Sequence, residues 1–244
     1  MSRVVVVTGA TRGIGRDVAR QLSDRGDRVV LGARRIADGN RTAAELAASG
    51  VSVDPRELDV ADPLSVTRFA TGLRHDYSAV DVLVNNAAVN YDTGQRAATA
   101  DLDDVRRTLE TNLFGAWNVT LALLPLLRAS TDPRIVNVSS EGGSLTNMGG
   151  GTPAYSVSKC ALNALTRMLA AELRGDGILV NAVCPGWVAT DMGGAGGRPV
   201  SAGAASVIWV ADSPAPAPPE GSSATGAHFP GKAAVNTAHD GRPE

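Results

Sequence analysis

Tyr155 and Lys159 stand four residues apart in the run Tyr155-Ser156-Val157-Ser158-Lys159. On a helix, residues i and i+4 share a face, so a phenol hydroxyl and an ammonium point into one cleft. A phenol ordinarily titrates near roughly 10, and a nearby ammonium favours the phenolate and lowers that value. The pairing suits a general acid that protonates a carbonyl oxygen as hydride reaches its carbon. Of the 23 basic residues only Lys159 and Lys232 are lysines, so a lysine at this spacing carries weight. The plainer alternative is a packed tyrosine and a surface lysine on an ordinary helix.

A second set of residues suits phosphate. Thr8-Gly9-Ala10-Thr11-Arg12-Gly13-Ile14-Gly15 follows an all-valine run and precedes a helical pattern. Glycines at such a junction permit the sharp turn, the approach of a pyrophosphate to the backbone, and close packing of helix on strand. The helix N-terminus adds free N–H groups and the positive end of its dipole. An acidic residue about 20 positions on often takes the ribose 2′-hydroxyl in such sites. Here the second strand ends in Arg34-Arg35, and the next acid is Asp38. Arg34, helped by Arg12, can pair with a 2′-phosphate instead, which favours NADP(H) over NAD(H). Solvated surface arginines are the alternative.

Both motifs require strand-to-helix loops, and the chain supplies them. Val4–Val7, Val29–Leu31, the stretch from Val51 to Leu58, Val80–Val84, Ile135–Val138 and Ile178–Val183 are apolar runs of strand length. Helical patterns separate them: from Ile14 to Gly26, an alanine-rich helix over Ala43–Ala48, and one opened by Asp62-Pro63. One long helix is expected over Asp101–Arg128 and another over Pro153–Leu173, with a short helix over Ala202–Ala211. Ser213–Ser223 reads as a surface loop, Ala227–Phe229 as a last short strand, and the tail after about Lys232 as weakly ordered. The alternation predicts an α/β fold of Rossmann type: a doubly wound, mostly parallel sheet with helices on both faces. With no break in composition, residues 1–244 read as one domain. A globule of this size buries roughly 70–75% of its unfolded surface and needs no disulfide framework. Cys160 and Cys184 are the only cysteines, far apart, which suits a reducing cytosol. His75, His228 and His239 are scattered, so no metal site is expected. A formal net charge of -2 with interspersed signs gives no nucleic-acid footprint. No apolar run reaches the ~20 residues of a membrane span.

Taken with these motifs, the sequence resembles the short-chain dehydrogenase/reductase family over most of its length, from Val4 to about Lys232. The pieces that carry the resemblance are TGATRGIG at Thr8–Gly15, LDV at Leu58–Val60, NNAA at Asn85–Ala88 and TNLFG at Thr111–Gly115. VNVSS at Val136–Ser140, YSVSK at Tyr155–Lys159 and CPGWVATDM at Cys184–Met192 follow in order. VVLGARR, the NNAAVNYD turn and TGAHFPGK at Thr225–Lys232 resemble the carbonyl-reductase branch.

The resemblance implies roles. Tyr155 donates the proton, Ser140 hydrogen-bonds the substrate carbonyl, and Lys159 binds the nicotinamide ribose and tunes Tyr155. Asn112 holds a water that links Lys159 to solvent. Gly9, Thr11, Arg12, Gly13, Ile14 and Gly15 cradle the pyrophosphate. Asp59 meets the adenine amino group with Val60 beside the ring, and Asn86 and Ala87 support the adenosine side. Pro185, Gly186, Val188 and Thr190 shape the nicotinamide end. Residue by residue, plainer roles stay open: Asn112 capping a kink, Asp59 a turn residue, Thr190 a helix cap, and Ser139 standing in for Ser140. Ala88 departs from the family's usual glycine and adds a methyl group there.

These assignments describe an NADPH-dependent reductase of ketones or aldehydes, forming a homodimer or homotetramer through its long helices. A non-catalytic NADP(H) sensor or regulator, and a sugar-nucleotide epimerase or dehydratase, are the competing functions; the intact Ser-Tyr-Lys-Asn set and the short C-terminal part disfavour them. Asn90, Tyr91, Trp187, Met192 and the loop at Glu141–Thr152 are expected to line the pocket. The Gly-rich stretch Gly193–Arg198 reads as a mobile flap.

Overall fold

The computed structural model of the chain describes residues 2–89 and 91–213. Six strands form one sheet: β1 (Val4–Val7), β2 (Arg28–Ala33), β3 (Val53–Glu57), β4 (Val82–Asn85), β5 (Arg134–Val138) and β6 (Leu179–Val183). Their order is β3-β2-β1-β4-β5-β6, and every pairing is parallel. The helices are α1 (Gly13–Asp24), α2 (Ile36–Ala47), α3 (Pro63–Asp76), α4 (Leu102–Leu109), α5 (Ala116–Arg128), α6 (Pro153–Glu172) and α7 (Val200–Asp212). The chain winds outward from β1 to β3, returns, and winds the other way from β4 to β6. The strand order therefore reverses between β1 and β4, where ligands of such sheets bind beyond the carboxyl ends.

The valine runs serve two faces at once, as expected of strands covered on both sides. Val5 and Val7 join Val18 and Leu22 of α1 and Val207 and Ile208 of α7 in one core. Val4 and Val6 point the other way, into a core with Phe69 and Leu73 of α3, Leu123 of α5 and Leu162 of α6. Among the described residues no helix is long and apolar enough to cross a membrane.

Two expected boundaries are corrected. The second helix begins at Ile36, ahead of the alanine run at Ala43. Gly39 concealed its first turn: a Cβ there would lie 3.0 Å from Ala33 Cβ, so glycine lets the helix press onto β2. The single helix expected over Asp101–Arg128 is α4 and α5 joined by a π-helical turn, Glu110–Gly115. The Asp62-Pro63 start holds, with the Asp62 carboxylate accepting from the Leu64 N–H at 2.9 Å. The strand expected at Ala227–Phe229, the loop beyond Ser213 and the tail lie outside the described residues.

Candidate active site

Tyr155 and Lys159 lie in the first turns of α6, where the long helix meets the carboxyl edge of the sheet. The ammonium stands 5.6 Å from the Tyr155 ring centroid, so the i,i+4 geometry holds. Lys159 is buried and donates to the Val138 carbonyl at 2.7 Å, which anchors it to the end of β5. Burial lowers its ammonium to about 8. The expected lowering of the phenol is corrected. Burial pushes Tyr155 above its ordinary value, a hydrogen bond with Ser140 opposes the shift in part, and Cys184 and Tyr91 add to the rise. Spacing put the ammonium on the right face, but burial is the largest cause of the phenol's shift and raises it.

Ser140, and not Ser139, stands on the Tyr155 side: its Oγ and the Tyr155 ring both flank Gly142, at 3.6 and 3.8 Å from where a Cβ would lie. Ser140 also accepts from the Gly142 N–H at 3.1 Å, which fixes its rotamer at the start of a 3₁₀ turn. The Ser139 hydroxyl is buried without a hydrogen-bond partner among the described residues.

Asn112 sits inside the π-helical turn and is almost wholly buried. Its side chain accepts from the Val89 N–H at 2.8 Å and donates to the Val89 carbonyl at 3.1 Å and to Ser158 Oγ at 3.0 Å. Ser158 in turn donates to the Tyr155 carbonyl at 2.7 Å. The side chain thus ties the loop after β4 to α6 and makes no hydrogen bond with Lys159. That loop brings the Tyr91 ring edge-on to Tyr155, with centroids 5.2 Å apart. Asn90, also expected to line the pocket, lies outside the described residues.

The first loop has the geometry of an anion-binding turn. Gly9 and Gly13 adopt φ of +62° and +56°, which side chains rarely tolerate. No side chain caps the start of α1 and no acid occupies its first turn, so its N–H groups and dipole remain available to an anion. A Cβ on Gly15 would lie 2.3 Å from Asn86 Nδ2, the close packing the third glycine was expected to serve. Asn86 donates to the Thr8 and Gly9 carbonyls at 2.9 and 3.1 Å, and Thr8 Oγ1 accepts from the N–H groups of Asn86 and Ala87, each at 3.0 Å. Asn86 and Ala87 therefore act on the cradle by holding its loop. Thr8 was missed as a functional residue, although its place before Gly9 marked it.

Arg34 is exposed at the end of β2 and makes no ion pair among the described residues, whereas Arg35 pairs with Asp38. Arg12 instead meets Asp191 at 3.1 Å, so only Arg34 is unpaired where a 2′-phosphate would be read. Asp59 closes a turn by accepting from the Ala61 N–H at 3.0 Å. Val60 is buried against Gly115 of the π-helical turn. These features fit a phosphorylated dinucleotide: open helix N-terminus, glycine cradle and an exposed arginine.

The last loop runs from Pro185 to Arg198. Gly186 turns with φ of +76°, Val188 is buried under α7, and Thr190 approaches the cradle, its Cγ2 lying 3.5 Å from where a Gly13 Cβ would be. Thr190 Oγ1 accepts from the Gly193 N–H at 3.0 Å. The glycines read as a flap are wrapped on Trp187, whose indole donates to the Gly193 carbonyl at 2.7 Å. A Cβ on Gly196 would lie 3.0 Å from that ring, and one on Gly197 would lie 2.5 Å from the Val188 carbonyl carbon. Close packing accounts for Gly193, Gly196 and Gly197, and a φ of +72° for Gly194.

Fold and site together define a Rossmann-type α/β protein in which Tyr155, Lys159 and Ser140 gather at the carboxyl edge of the sheet. A short chain dehydrogenase family model matches residues 3–198, and the chain belongs to that family. It is 36% identical over 240 residues to Carbonyl reductase (NADPH) 1 of Sus scrofa, covering 79% of this chain and 81% of that protein. It is 41% identical over 198 residues to the Monensin polyketide synthase putative ketoacyl reductase of Streptomyces virginiae, covering 78% and 72%. The structure of NADPH-bound carbonyl reductase from chicken fatty liver superimposes with a TM-score of 0.77 at 27% identity, covering 86% of this chain and 92% of that one.

Proposed function

We propose that the protein is an NADPH-dependent carbonyl reductase that converts a ketone or aldehyde to an alcohol, with Tyr155 as the proton donor. The observation that carries this is the clustering of Tyr155 with buried Lys159, 5.6 Å from its ring, and with Ser140, whose Oγ flanks the same Gly142 as the Tyr155 ring, at the same sheet edge as the glycine cradle. Exposed Arg34 and relatives described as NADPH enzymes support the choice of cofactor.

What bound NADPH supplies is hydride to the carbonyl carbon. Ser140 orients the carbonyl oxygen towards the phenol. Tyr155, held protonated by burial, donates its proton to that oxygen as charge develops there. The phenolate left behind lies beside the Lys159 ammonium, which favours the charged form until a proton returns from solvent. The same residues run the reverse reaction from the alcohol. Association into a homodimer or homotetramer belongs to this proposal. Phe114 in the π-helical turn, Leu121 on α5 and Met168 on α6 are exposed and offer apolar surface for it.

The test is oxidation of NADPH and, in parallel, NADH by the purified protein with benzaldehyde, cyclohexanone and 9,10-phenanthrenequinone. Turnover preferring NADPH is expected, and Tyr155→Phe should lose it by about 100-fold or more while still binding NADPH. Unchanged turnover in Tyr155→Phe removes the assigned proton donor. Cofactor binding without turnover of any probe favours a sensor on the same scaffold.

A further inference from the structure

The catalytic helix α6 lacks a cap of its own. Thr152 occupies the capping position with φ of 48°, a left-handed conformation unfavourable to a β-branched residue, and its side chain makes no capping hydrogen bond. Pro153 follows and has no N–H. The next two N–H groups, of Ala154 and Tyr155, are the ones a cap must satisfy. Both go to one residue from a distant part of the chain. Asp92 Oδ2 accepts from the Ala154 N–H at 2.9 Å and Oδ1 from the Tyr155 N–H at 3.1 Å. Asp92 is buried, at 6% exposure. A carboxylate so enclosed is costly unless its lone pairs are used, and two N–H groups at the positive end of a helix use them.

The Tyr155 peptide unit is thereby gripped on both sides. Its N–H is held by Asp92, and its carbonyl by Ser158, which Asn112 holds in turn. Asn112 also clasps both backbone groups of Val89, so the strap of chain from Val89 to Asp92 is pinned near each end. Tyr91, one residue before Asp92, packs edge-on against the Tyr155 ring.

We infer that Asp92 is a positioning residue for the reaction: by capping α6 at Tyr155 and seating Tyr91 against it, it fixes where the phenol hydroxyl stands. The inference rests on the assignment of Tyr155 as proton donor. It assigns Asp92 no contact with cofactor or substrate and no proton to move. Misplacing a reacting group by about 1 Å costs on the order of 100-fold in rate, so a loosened Tyr155 should show in kcat before it shows in binding.

The experiment compares Asp92→Ala, Asp92→Asn and Tyr155→Phe with wild type in the full chain. Substrate is whichever of the three carbonyl probes the wild type turns over fastest. NADPH affinity is measured separately by its fluorescence, and reports whether each variant is folded. Asp92→Ala should lose about 10–100-fold in kcat, with NADPH Kd within about threefold of wild type. Asp92→Asn keeps the shape and one acceptor oxygen but turns its NH2 towards the second N–H, and should recover part of that loss. The inference is overturned if Asp92→Ala, corrected for the fraction that binds NADPH, turns over at the wild-type rate. It is equally overturned if Asp92→Asn is as impaired as Asp92→Ala, since the capping geometry would then not be what matters. An active Tyr155→Phe, or a wild type inert towards all three probes, removes the underlying assignment. A dead Tyr155→Phe beside a fully active Asp92→Ala removes only the role of Asp92.

Discussion

Lys159 is a cation enclosed by protein, with one carbonyl to satisfy three donors. Burial lowers its ammonium to about 8, against an ordinary lysine value near roughly 10.4. A base whose folded value is depressed penalises the folded state wherever it is protonated. The penalty is fully present below about pH 8 and fades as pH rises through the ordinary value, because the unfolded chain binds the proton more tightly. Lys159→Met should therefore unfold at higher urea than wild type at pH 7, by about 1–3 kcal/mol, with the gap closing near pH 10.5. A gap independent of pH would mean that the folded protein does not penalise the ammonium. The Tyr155–Lys159 spacing was legible in the sequence, as was Ser140. The direction of the phenol shift was not, because spacing reports which groups share a face and says nothing of how dry that face is. Asp92 was invisible for another reason: its partners are backbone N–H groups more than sixty residues away, which no side-chain pattern marks.

At the scale of elements, the π-helical turn links catalytic and cofactor sides. It carries Asn112 towards α6 and ends at Gly115, where a Cβ would lie 2.7 Å from Val60 Cγ2. Valine has little freedom to retreat. Gly115→Ala should cost about 1–3 kcal/mol of stability by overpacking and weaken NADPH binding through displaced Val60. Adding Val60→Ala should restore much of the stability, and a double-mutant cycle in urea measures the coupling. Additive losses would place the strain elsewhere. Apolar periodicity predicted a helix on both sides of this turn but not the turn itself. A single extra residue shifts the apolar pattern by less than a boundary error, and the close contact at the end of the turn is with residue 60, distant in sequence. The start of α2 was hidden in the same way, since Gly39 reads as a breaker until Ala33 is seen beneath it.

At the scale of the molecule, alternate residues of the same strands feed two cores, so neither face can melt without stripping the other. The described residues should unfold as one unit despite a length at which intermediates are common. Trp117 on α5 and Trp209 on α7 report on opposite faces. Variants keeping only one of them should give the same urea midpoint; two midpoints would split the sheet into separate folding units. This level was the most legible, because buried valine runs alternating with helices leave few topologies open. The tie between Arg12 and Asp191 joins loops 179 residues apart, yet both partners are about three-quarters exposed. Such a bond is worth at most about 1 kcal/mol. Thermal motion alone then leaves it undone in roughly a sixth to two-fifths of molecules at any instant. On the proposed reading, a cofactor phosphate competes for Arg12 with no more than this weak contact, so the first and last loops set little resistance to its arrival.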